Sequence, residues 1–424
     1  MRLIPLLIML PMLSACTGRA NVARSAEIAD LAAAAEDPAL AQERAARRLA
    51  SRIATAMDER QLAAQVIITG LDSIGRLSCG MTALLEECPA GGIIIFRLNV
   101  GDDINSLRNL IAESVDLISR GTAVELFDYG EEGGLKTWTV LPFAAVDHEG
   151  GTVNRFRPVI EHPRAASVYW TMAQNTDWEN AVEQLNADSL LAGNAMSGLG
   201  FNVNFAPVVE HLNDDNREFL ISRSYGPDPD FTAQAAAAFI KGMEEAGILC
   251  TVKHFPGVAG ADPHYHPSVL RGDHEALDEL AAPFAALIDS GLARAIMVSH
   301  SSVPALDGEY IASLSQNVMG GWLRGELGFN GIIVSDDFVM EAARGPASAG
   351  GLRLMPEEAA VKSLAAGSDM VIVWPGDLRR THAAIMQALA EETLPIKRLR
   401  YAARRIIYEK LRMGLVKSDT RDES

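Results

Sequence analysis

The sequence predicts an α/β fold in which about eight parallel strands close into a barrel. Apolar runs of strand length recur along the chain, in the order AAQVIITG, GGIIIF, FAAVDHEGG, FNVNFAPVV, ILCTVKHFPG, RAIMVSH, GIIVSDDF and SDMVIVW. Amphipathic stretches such as DPDFTAQAAAAFIKGMEEAG separate several of them, and this alternation is typical of βα units. Because the runs are almost continuously apolar, the strands are expected to be buried on both faces. We therefore predict a TIM-like (β/α)8 barrel as a single domain.

An open, doubly wound sheet is the alternative fold for the same alternation. That fold often binds a dinucleotide at a glycine-rich turn, but no G-x-G-x-x-G motif follows AAQVIITG, which weakens this alternative. No linker or low-complexity tract divides the body of the chain. We therefore expect one barrel over residues 57–415, followed by a polar tail over residues 416–424.

The first residues predict an export signal. Arg2 precedes an apolar run of about ten residues, which is too short to span a bilayer as a helix, and the run ends in Leu13-Ser14-Ala15-Cys16. This ending resembles a bacterial lipobox, so we expect a signal peptide over residues 1–15 and lipid attachment at Cys16. The alternative is an ordinary signal peptide with an incidental cysteine. Residues 16–56 are expected to form a lipid-anchored tether and an N-terminal helix, which places the protein on a membrane of the bacterial cell envelope, on its periplasmic or extracytoplasmic side.

The net charge argues against one class of partner, and the cysteine spacing allows one disulfide. The 424 residues carry a formal net charge of −18, which argues against nucleic acid as a partner because phosphate binding needs clustered Lys and Arg. Cys79 and Cys88 are close enough in sequence for a short disulfide in an oxidising compartment, although both could also stay free. Cys250 lies in an apolar run and is expected to be a core residue.

Polar and charged side chains follow five of the predicted strands. They are Asp147, His148 and Glu149 after FAAV, Glu210 and His211 after FAPVV, Lys253 and His254 after ILCTV, Ser299 and His300 after AIMV, and Asp336 and Asp337 after GIIVS. In a (β/α)8 barrel the carboxyl ends of the strands meet at one mouth, where active sites form. These residues therefore predict a site that binds a richly hydroxylated ligand.

Five motifs, in order along the chain, resemble glycoside hydrolase family 3. They are VDHEGGTVNRF (146–156), GLGFNVNFAPVVE (198–210), SRSYGPDP (222–229), KHFPG (253–257) and LRGELGFNGIIVSDDFVM (323–340). The similarity runs from about residue 57 to residue 415 and is closest to the short, single-domain β-N-acetylhexosaminidases of the family. It implies one catalytic barrel, in agreement with the strand count, and an oligosaccharide substrate, with no cofactor and no metal.

The resemblance assigns the nucleophile. Retaining glycosidases use one carboxylate that attacks the anomeric carbon and a second group that donates and later accepts a proton. The first Asp of the VSDD motif, Asp336, matches the nucleophile of the family, and Asp337 is expected to be a neighbouring capping residue.

The resemblance also places the acid/base on a loop. In the hexosaminidase branch this group is a His partnered by an Asp in an Asp-x-His motif, which here is Asp262-Pro263-His264. Two-domain members take their acid/base from a second domain after the barrel. The segment after Asp336 is short and ends in the helix-like RRIIYEKLRMGLV, so we expect the acid/base to come from within the barrel.

The same loop departs from the family pattern. The usual KHFPGHG is KHFPGVAG here, so Val258 replaces a histidine, and the interval from Lys253 to Asp262 is about two residues short. His266 competes with His264 for the catalytic role. A metal cluster of His254, His264, His266 and Asp262 is a further alternative, since short His-rich tracts bind metals.

Five further residues match sugar-binding positions of the family, where charged and directional contacts fix the sugar. They are Asp147, Arg155, Arg223, Lys253 and His254. Ser222 stands where the family often has Asp, so we expect Arg223 to be less firmly oriented. The alternative role for Arg155 and Arg223 is surface salt bridging.

The sequence therefore predicts a retaining exo-β-N-acetylglucosaminidase acting on oligosaccharides derived from peptidoglycan or chitin. One alternative keeps the fold and is a β-N-acetylglucosaminide or β-glucoside phosphorylase, or a β-glucosidase. Another is a non-catalytic glycan-binding lipoprotein. The oligomeric state is left open by the sequence.

Overall fold

The computed structural model describes residues 37–101, 103–128, 134–156, 160, 162–344 and 354–419. The chain divides into two compact units, residues 1–48 and 49–424. Of the first unit the structure describes residues 37–48, which are helical from Pro38 onward. The predicted signal peptide and Cys16 lie outside the described residues, so both stay predictions.

Eight parallel strands form a closed barrel in the second unit. They are β1 (Ile67–Gly70), β2 (Gly92–Ile95), β3 (Phe143–Val146), β4 (Val203–Asn204), β5 (Leu249–Phe255), β6 (Ala295–Val298), β7 (Ile332–Asp337) and β8 (Met370–Val373). Each strand lies beside its neighbours in sequence, and β1 closes the ring by pairing with both β2 and β8. The predicted (β/α)8 barrel is confirmed, and the doubly wound alternative is wrong, because an open sheet has two unpaired edges.

Apolar β-branched residues explain why these runs are strands. Ile67, Ile93 and Ile333 are each almost completely inaccessible to solvent, since one face of every strand fills the barrel and the other packs against helices. Side chains of this type fit the pleated, fully buried surface of a parallel sheet.

The described residues form thirteen α-helices. These are α1 (Pro38–Ala56), α2 (Glu59–Gln65), α3 (Cys79–Glu87), α4 (Ile104–Ser119), α5 (Ala166–Asn175), α6 (Trp178–Gly198), α7 (Arg217–Leu220), α8 (Pro229–Glu245), α9 (His274–Asp289), α10 (Glu341–Arg344), α11 (Pro356–Ala366), α12 (Leu378–Ala390) and α13 (Ile396–Arg412). Between β6 and β7 the chain forms a π-helix, Asn317–Glu326. Asp228 and Asp273 cap α8 and α9 by accepting a bond from a backbone N–H in the first turn, which satisfies donors that the helix leaves open.

A small antiparallel sheet stands beside the barrel. It consists of Ala123–Asp128, Gly134–Val140 and Val416–Ser418, with Gly134–Val140 in the centre. The segment predicted as a polar tail therefore begins as an edge strand. The reason is the antiparallel hairpin between β2 and β3, which offers a free edge to residues 416–418.

Helix α13 lies across the end of the barrel where the strands begin. Lys410 donates to the carbonyl of Gly91, directly before β2, and Glu409 pairs with Arg294, directly before β6. Arg398 contacts Asp369, directly before β8, at 3.1 Å. Because these partners precede strands on different sides of the ring, α13 closes this end of the barrel.

The three described cysteines are free. Cys79 begins α3 and Cys88 follows its end, so the two lie about 13 Å apart along the helix axis. A disulfide needs Cα atoms within about 7 Å, and the bridge considered from the sequence is therefore wrong. In the described part of the chain, no helix combines the length and the apolar composition needed to cross a bilayer.

Candidate active site

The polar residues at the strand ends meet at the mouth opposite α13. Asp147 directly follows β3, Lys253 and His254 lie in the last part of β5, and Asp336 lies near the end of β7. In this barrel, as in others of its class, the carboxyl ends of the strands bring these side chains to one site.

Two carboxylates and two cations form a buried cluster at this mouth. Lys253 Nζ lies 2.7 Å from Asp147 Oδ1 and 2.7 Å from Glu149 Oε1. Arg223 binds Glu149 through two hydrogen bonds of 2.8 Å, from Nε and Nη2. Burial opposes ionisation of Glu149, but Arg223 and Lys253 outweigh it and hold the pKa of this carboxyl well below its usual range. The cluster is thus charged and pre-organised for directional bonds to hydroxyl groups.

Gly150 allows the chain to turn sharply after Glu149. Its φ is +94°, a conformation that glycine adopts without steric cost. A Cβ at this position would lie 2.4 Å from the carbonyl oxygen of Arg164, so the turn that presents Glu149 to the mouth needs glycine here.

Glu210 orients His254. Its Oε1 lies 2.7 Å from His254 Nδ1, and its Oε2 accepts the N–H of Val258 at 2.6 Å. An ionised carboxylate only accepts hydrogen bonds, so His254 carries a proton on Nδ1. In the neutral ring Nε2 then accepts, and Arg223 Nη2 lies 3.4 Å from it. The peptide bond between Lys253 and His254 is cis.

Asp336 is surrounded by cationic and donor groups. Burial alone would raise its pKa, but electrostatic interactions with the neighbouring His300, His254 and Lys253 side chains, together with the hydrogen bond from the Asp337 N–H, lower the pKa below its usual value. The N–H of Asp337 donates to Asp336 Oδ1 at 2.8 Å. Asp336 is therefore ionised at neutral pH, as a nucleophile must be.

Asp337 has a different environment. Burial raises its pKa to about 6, although Val339 N and Trp374 Nε1 both donate to its carboxyl group. The carbonyl of Asp337 accepts from His300 Nε2 at 3.1 Å. His300 Nδ1 therefore accepts from Ser313 Oγ at 2.7 Å, and burial lowers the pKa of this histidine. Asp337 is thus held by structural contacts beside Asp336, and its carboxyl group accepts the N–H of Val339 in the segment that follows β7.

The loop after β5 brings Asp262 and His264 together. Asp262 Oδ1 lies 2.7 Å from His264 Nδ1 and accepts the backbone N–H of His264 at 2.9 Å. The carbonyls of Pro263 and His264 accept the N–H groups of Ala342 and Glu341, in the short helix α10 that follows β7. Since Asp336 and Asp337 end β7, the loop is fixed to the segment that presents the predicted nucleophile.

In the Asp262–His264 pair, His264 Nε2 is the atom available for proton transfer. Because Asp262 accepts from Nδ1, the other ring nitrogen is free to exchange a proton. The side chain of His264 is 60% exposed. His266 is exposed as well, and within the described ranges its ring makes no hydrogen bond. Within the same ranges no group of three or more His, Cys, Asp or Glu side chains is arranged to hold a metal ion.

Val258 gives the shortened loop an apolar base. It is 5% exposed and packs in a small cluster with Val208 and Leu220. Next to it, Ser301 donates to the carbonyl of Gly257 and shares a 2.7 Å hydrogen bond with Ser268. The residue that departs from the family pattern therefore serves as a packing residue, and the loop is anchored on both sides of it.

Arg155 is the most loosely held of the predicted sugar-binding residues. Its guanidinium lies 3.9 Å from Asp147 Oδ2, and the side chain is 30% exposed. Its position beside Asp147 agrees with a role at the mouth of the site, where a sugar hydroxyl can reach both groups.

The sequence model for the N-terminal domain of glycosyl hydrolase family 3 matches residues 69–408. The chain belongs to this family. The match begins within β1 and covers the rest of the barrel and all the site residues described above, so the resemblance found in the five motifs is confirmed.

Curated family 3 relatives are similar over most of their own length. The chain is 38% identical to a beta-hexosaminidase from Tolumonas auensis over 294 residues, which is 68% of this chain and 77% of that protein. It is 32% identical to a beta-hexosaminidase from Neisseria gonorrhoeae over 287 residues, 67% of this chain and 71% of the relative.

Solved family 3 structures share the fold. A β-N-acetylglucosaminidase from Paenibacillus superposes with a TM-score of 0.72 at 28% identity, covering 85% of this chain and 63% of the other. A family 3 glycosyl hydrolase from Mycobacterium smegmatis gives 0.66 at 25% identity and covers 84% of this chain and 97% of the other.

Three residues of this family 3 site were predicted only as polar strand-end residues, with no catalytic or sugar-binding role assigned to them. Glu149 holds Arg223 and Lys253, Glu210 holds His254, and His300 lies beside Asp336. Their positions directly after apolar runs were the available signal. The expectation that Ser222 leaves Arg223 loosely oriented is wrong, because Glu149 binds the guanidinium from another strand end and the ring of Phe219 lies 4.8 Å from it.

Proposed function

We propose that the protein is a retaining exo-β-N-acetylglucosaminidase. The observation that carries this proposal is the hydrogen-bonded Asp262–His264 pair on a loop fixed beside the strand that presents Asp336. Family membership and relatives named beta-hexosaminidase and β-N-acetylglucosaminidase support the same activity. An ionised carboxylate and a separate proton donor are the two groups that retaining hydrolysis needs.

In the first step Asp336 attacks the anomeric carbon of a terminal N-acetylglucosamine. A C–O ester bond forms as the glycosidic bond breaks, and His264 Nε2 gives its proton to the departing oxygen. Asp262 stabilises the imidazolium that is present before the transfer. Lys253, Arg223 and Asp147 bind hydroxyl groups of the same sugar and keep its anomeric carbon in line with Asp336.

In the second step a water molecule cleaves the ester. The neutral His264 takes a proton from this water as the oxygen attacks the anomeric carbon, and Asp336 leaves as a carboxylate. Two displacements at one carbon give a product with the configuration of the substrate. The exposure of His264 suits this double role, because both the leaving group and the water must reach Nε2.

The proposal extends to location and substrate source. With lipid on Cys16 the enzyme is a lipoprotein held at a membrane of the cell envelope, where fragments of peptidoglycan or chitin carry terminal N-acetylglucosamine. The lipobox-like ending of the apolar run supports this location.

Hydrolysis of a panel of aryl β-glycosides tests the activity. We expect the N-acetyl-β-glucosaminide to be cleaved with the highest kcat/KM, and proton NMR to show the β-anomer of N-acetylglucosamine as the first product. An initial α-anomer would contradict retention. Added phosphate that yields a sugar 1-phosphate would identify a phosphorylase, and binding of oligosaccharides without any turnover would identify a glycan-binding protein.

A further inference from the structure

The outer face of α13 is basic although the whole protein is acidic. Lys397, Arg400 and Arg404 are exposed on this helix, in a chain with a net charge of −18. Helical spacing places all three on one face, together with Tyr401 and Arg412. We call this set of five residues the basic face. It is about 22 Å long.

The basic face carries no carboxylate. Glu409, the one acidic residue of α13, is buried and pairs with Arg294, and it also lies 3.4 Å from Arg412 at the end of the basic face. Among the described residues no carboxylate forms an ion pair with Lys397, Arg400 or Arg404. The cations contact an aromatic ring instead, since Lys397 Nζ lies 5.6 Å and the Arg404 guanidinium 5.2 Å from the centre of the Tyr401 ring.

The stability of the helix does not explain these charges. Cations in the first turns of a helix oppose its macrodipole, and α13 begins with Lys397, Arg398 and Arg400 and has no acidic residue in its first turn. Arg398 forms an ion pair with Asp369, but the side chains of Lys397 and Arg400 are exposed to solvent. Tyr401, which is 41% exposed, lies between Lys397 and Arg404.

The position of α13 places the basic face at the end of the barrel opposite the catalytic mouth. The helix closes the end of the barrel where the strands begin, and its exposed side points away from the barrel. The site formed by Asp336 and Lys253 lies at the opposite mouth. Anything bound to the basic face therefore leaves the catalytic mouth open.

We propose that the basic face docks the enzyme on the anionic phospholipid surface of a membrane, with the catalytic mouth directed away from it. Lys and Arg are attracted to the negative potential of such a surface, and tyrosine, with an apolar ring and a polar hydroxyl, is suited to the interface between lipid and water. The charge of the face is complementary to lipid headgroups and opposite to that of the rest of the protein. This contact is separate from lipid attachment at Cys16.

Vesicle sedimentation tests the proposal with the full chain carrying Cys16→Ser, which cannot receive a lipid there. We expect binding to vesicles that contain phosphatidylglycerol, much weaker binding to phosphatidylcholine alone, and release by salt because ionic screening weakens surface electrostatics. Adding Lys397→Gln, Arg400→Gln and Arg404→Gln should weaken binding about a hundredfold, since each basic residue near the surface contributes about a factor of five.

A second variant, the matched control, removes three positive charges outside α13. Arg76→Gln, Arg217→Gln and Lys241→Gln replace three exposed basic residues outside α13, and we expect this variant to bind as the parent does. Both variants should cleave a soluble aryl glycoside at the parent rate, which shows that they are folded. The parent should keep that rate when bound to vesicles.

Three results would overturn the proposal. The first is equal vesicle binding by the α13 variant and its parent. The second is binding of a soluble polyanion such as heparin without binding of anionic vesicles, which would identify an anionic polymer as the partner. The third is loss of activity on the vesicle, which would contradict the orientation.

Discussion

At the scale of single residues, Asp336 is the position whose change should affect chemistry most. Asp336→Asn keeps the size of the side chain but removes the carboxylate that we propose attacks the anomeric carbon. We expect kcat to fall about 10⁴-fold or more, as for other catalytic nucleophiles. A fluorinated glycoside that forms a slowly hydrolysed ester should label Asp336 in the wild-type enzyme, as read by peptide mass spectrometry. Near-normal turnover, or a label on another residue, would refute the assignment.

His264 should be distinguished by its dependence on the leaving group. His264→Ala removes the proposed proton donor, so a natural disaccharide should be cleaved about 10² to 10⁴-fold more slowly. An aryl glycoside with a strongly acidic phenol needs little proton transfer and should lose far less, and azide should accelerate breakdown of the ester because it needs no base. Asp262→Asn should show a weaker form of the same pattern.

His266→Ala is the matched control for His264. Both histidines are exposed and lie two residues apart on the same loop, but the ring of His264 alone bonds to Asp262. If His266→Ala shows the leaving-group effect and His264→Ala does not, the assignment of the acid/base is wrong. If neither shows it, the loop is structural.

Glu149→Gln tests the buried charge cluster. The change leaves Lys253 and Arg223 without one of their carboxylate partners in a buried site, and breaking such a pair costs about 3–5 kcal/mol of unfolding free energy. We also expect kcat/KM to fall, because Arg223 loses its orientation. Urea unfolding and steady-state kinetics measure the two effects. Glu183→Gln, an exposed carboxylate on α6, should change neither.

Asp337 should give the protein a recognisable pH dependence. Its pKa is raised from 3.8 to about 6 in the folded state, so between these values the native protein holds a proton that the unfolded chain has lost. Stability from this group is therefore fully present below pH 3.8 and is lost as the pH rises through 6, by about 3 kcal/mol in total. Asp337→Asn should remove this slope when unfolding is measured by urea at several pH values. A variant with the wild-type slope would contradict the prediction.

At the scale of elements, the sequence predicts the eight barrel strands because each is a short apolar run next to a helical stretch. It does not predict the sheet formed by residues 123–128, 134–140 and 416–418. The side chains of Gly134–Val140 are mostly partly buried and lack a regular alternation. Residues 416–418 pair with residues 138–140, far away in the sequence, and local sequence patterns do not predict such a pairing. The path of α13 across the barrel is unpredictable for the same reason.

In the loop after β5, the local motif could be predicted from the sequence, but the contacts of the loop with distant segments could not. The motif Asp262-Pro263-His264 is local, and the hydrogen-bonded pair that it forms could be anticipated from the family resemblance. Its attachment to Glu341 and Ala342 and the packing of Val258 on Val208 depend on segments that are far away in sequence. The expectation that Ser222 leaves Arg223 loosely oriented was wrong for the same reason, since Glu149, the partner of Arg223, lies far away in sequence, after β3.

At the scale of the whole molecule, the location of the enzyme should depend on Cys16. Wild-type protein should fractionate with membranes and take up labelled fatty acid, whereas Cys16→Ser should not be processed as a lipoprotein, because the thiol is the attachment point. Membrane fractionation and lipid labelling in the bacterial host measure this. Labelling that survives the substitution would remove the proposed anchor.

The closure of the barrel has a consequence for how the chain is made. Ile67 in β1 pairs with Val371 in β8. The ribosome therefore releases β1 long before β8, which lies next to it in the barrel, has been translated. Contacts between residues so distant in sequence form slowly. Until β8 is synthesised, one edge of β1 remains without its hydrogen-bonding partner, and an unpaired apolar edge is a site where chains aggregate. The ring is therefore completed only after β8 has been translated, and until then chaperones can bind the first strand of the nascent chain.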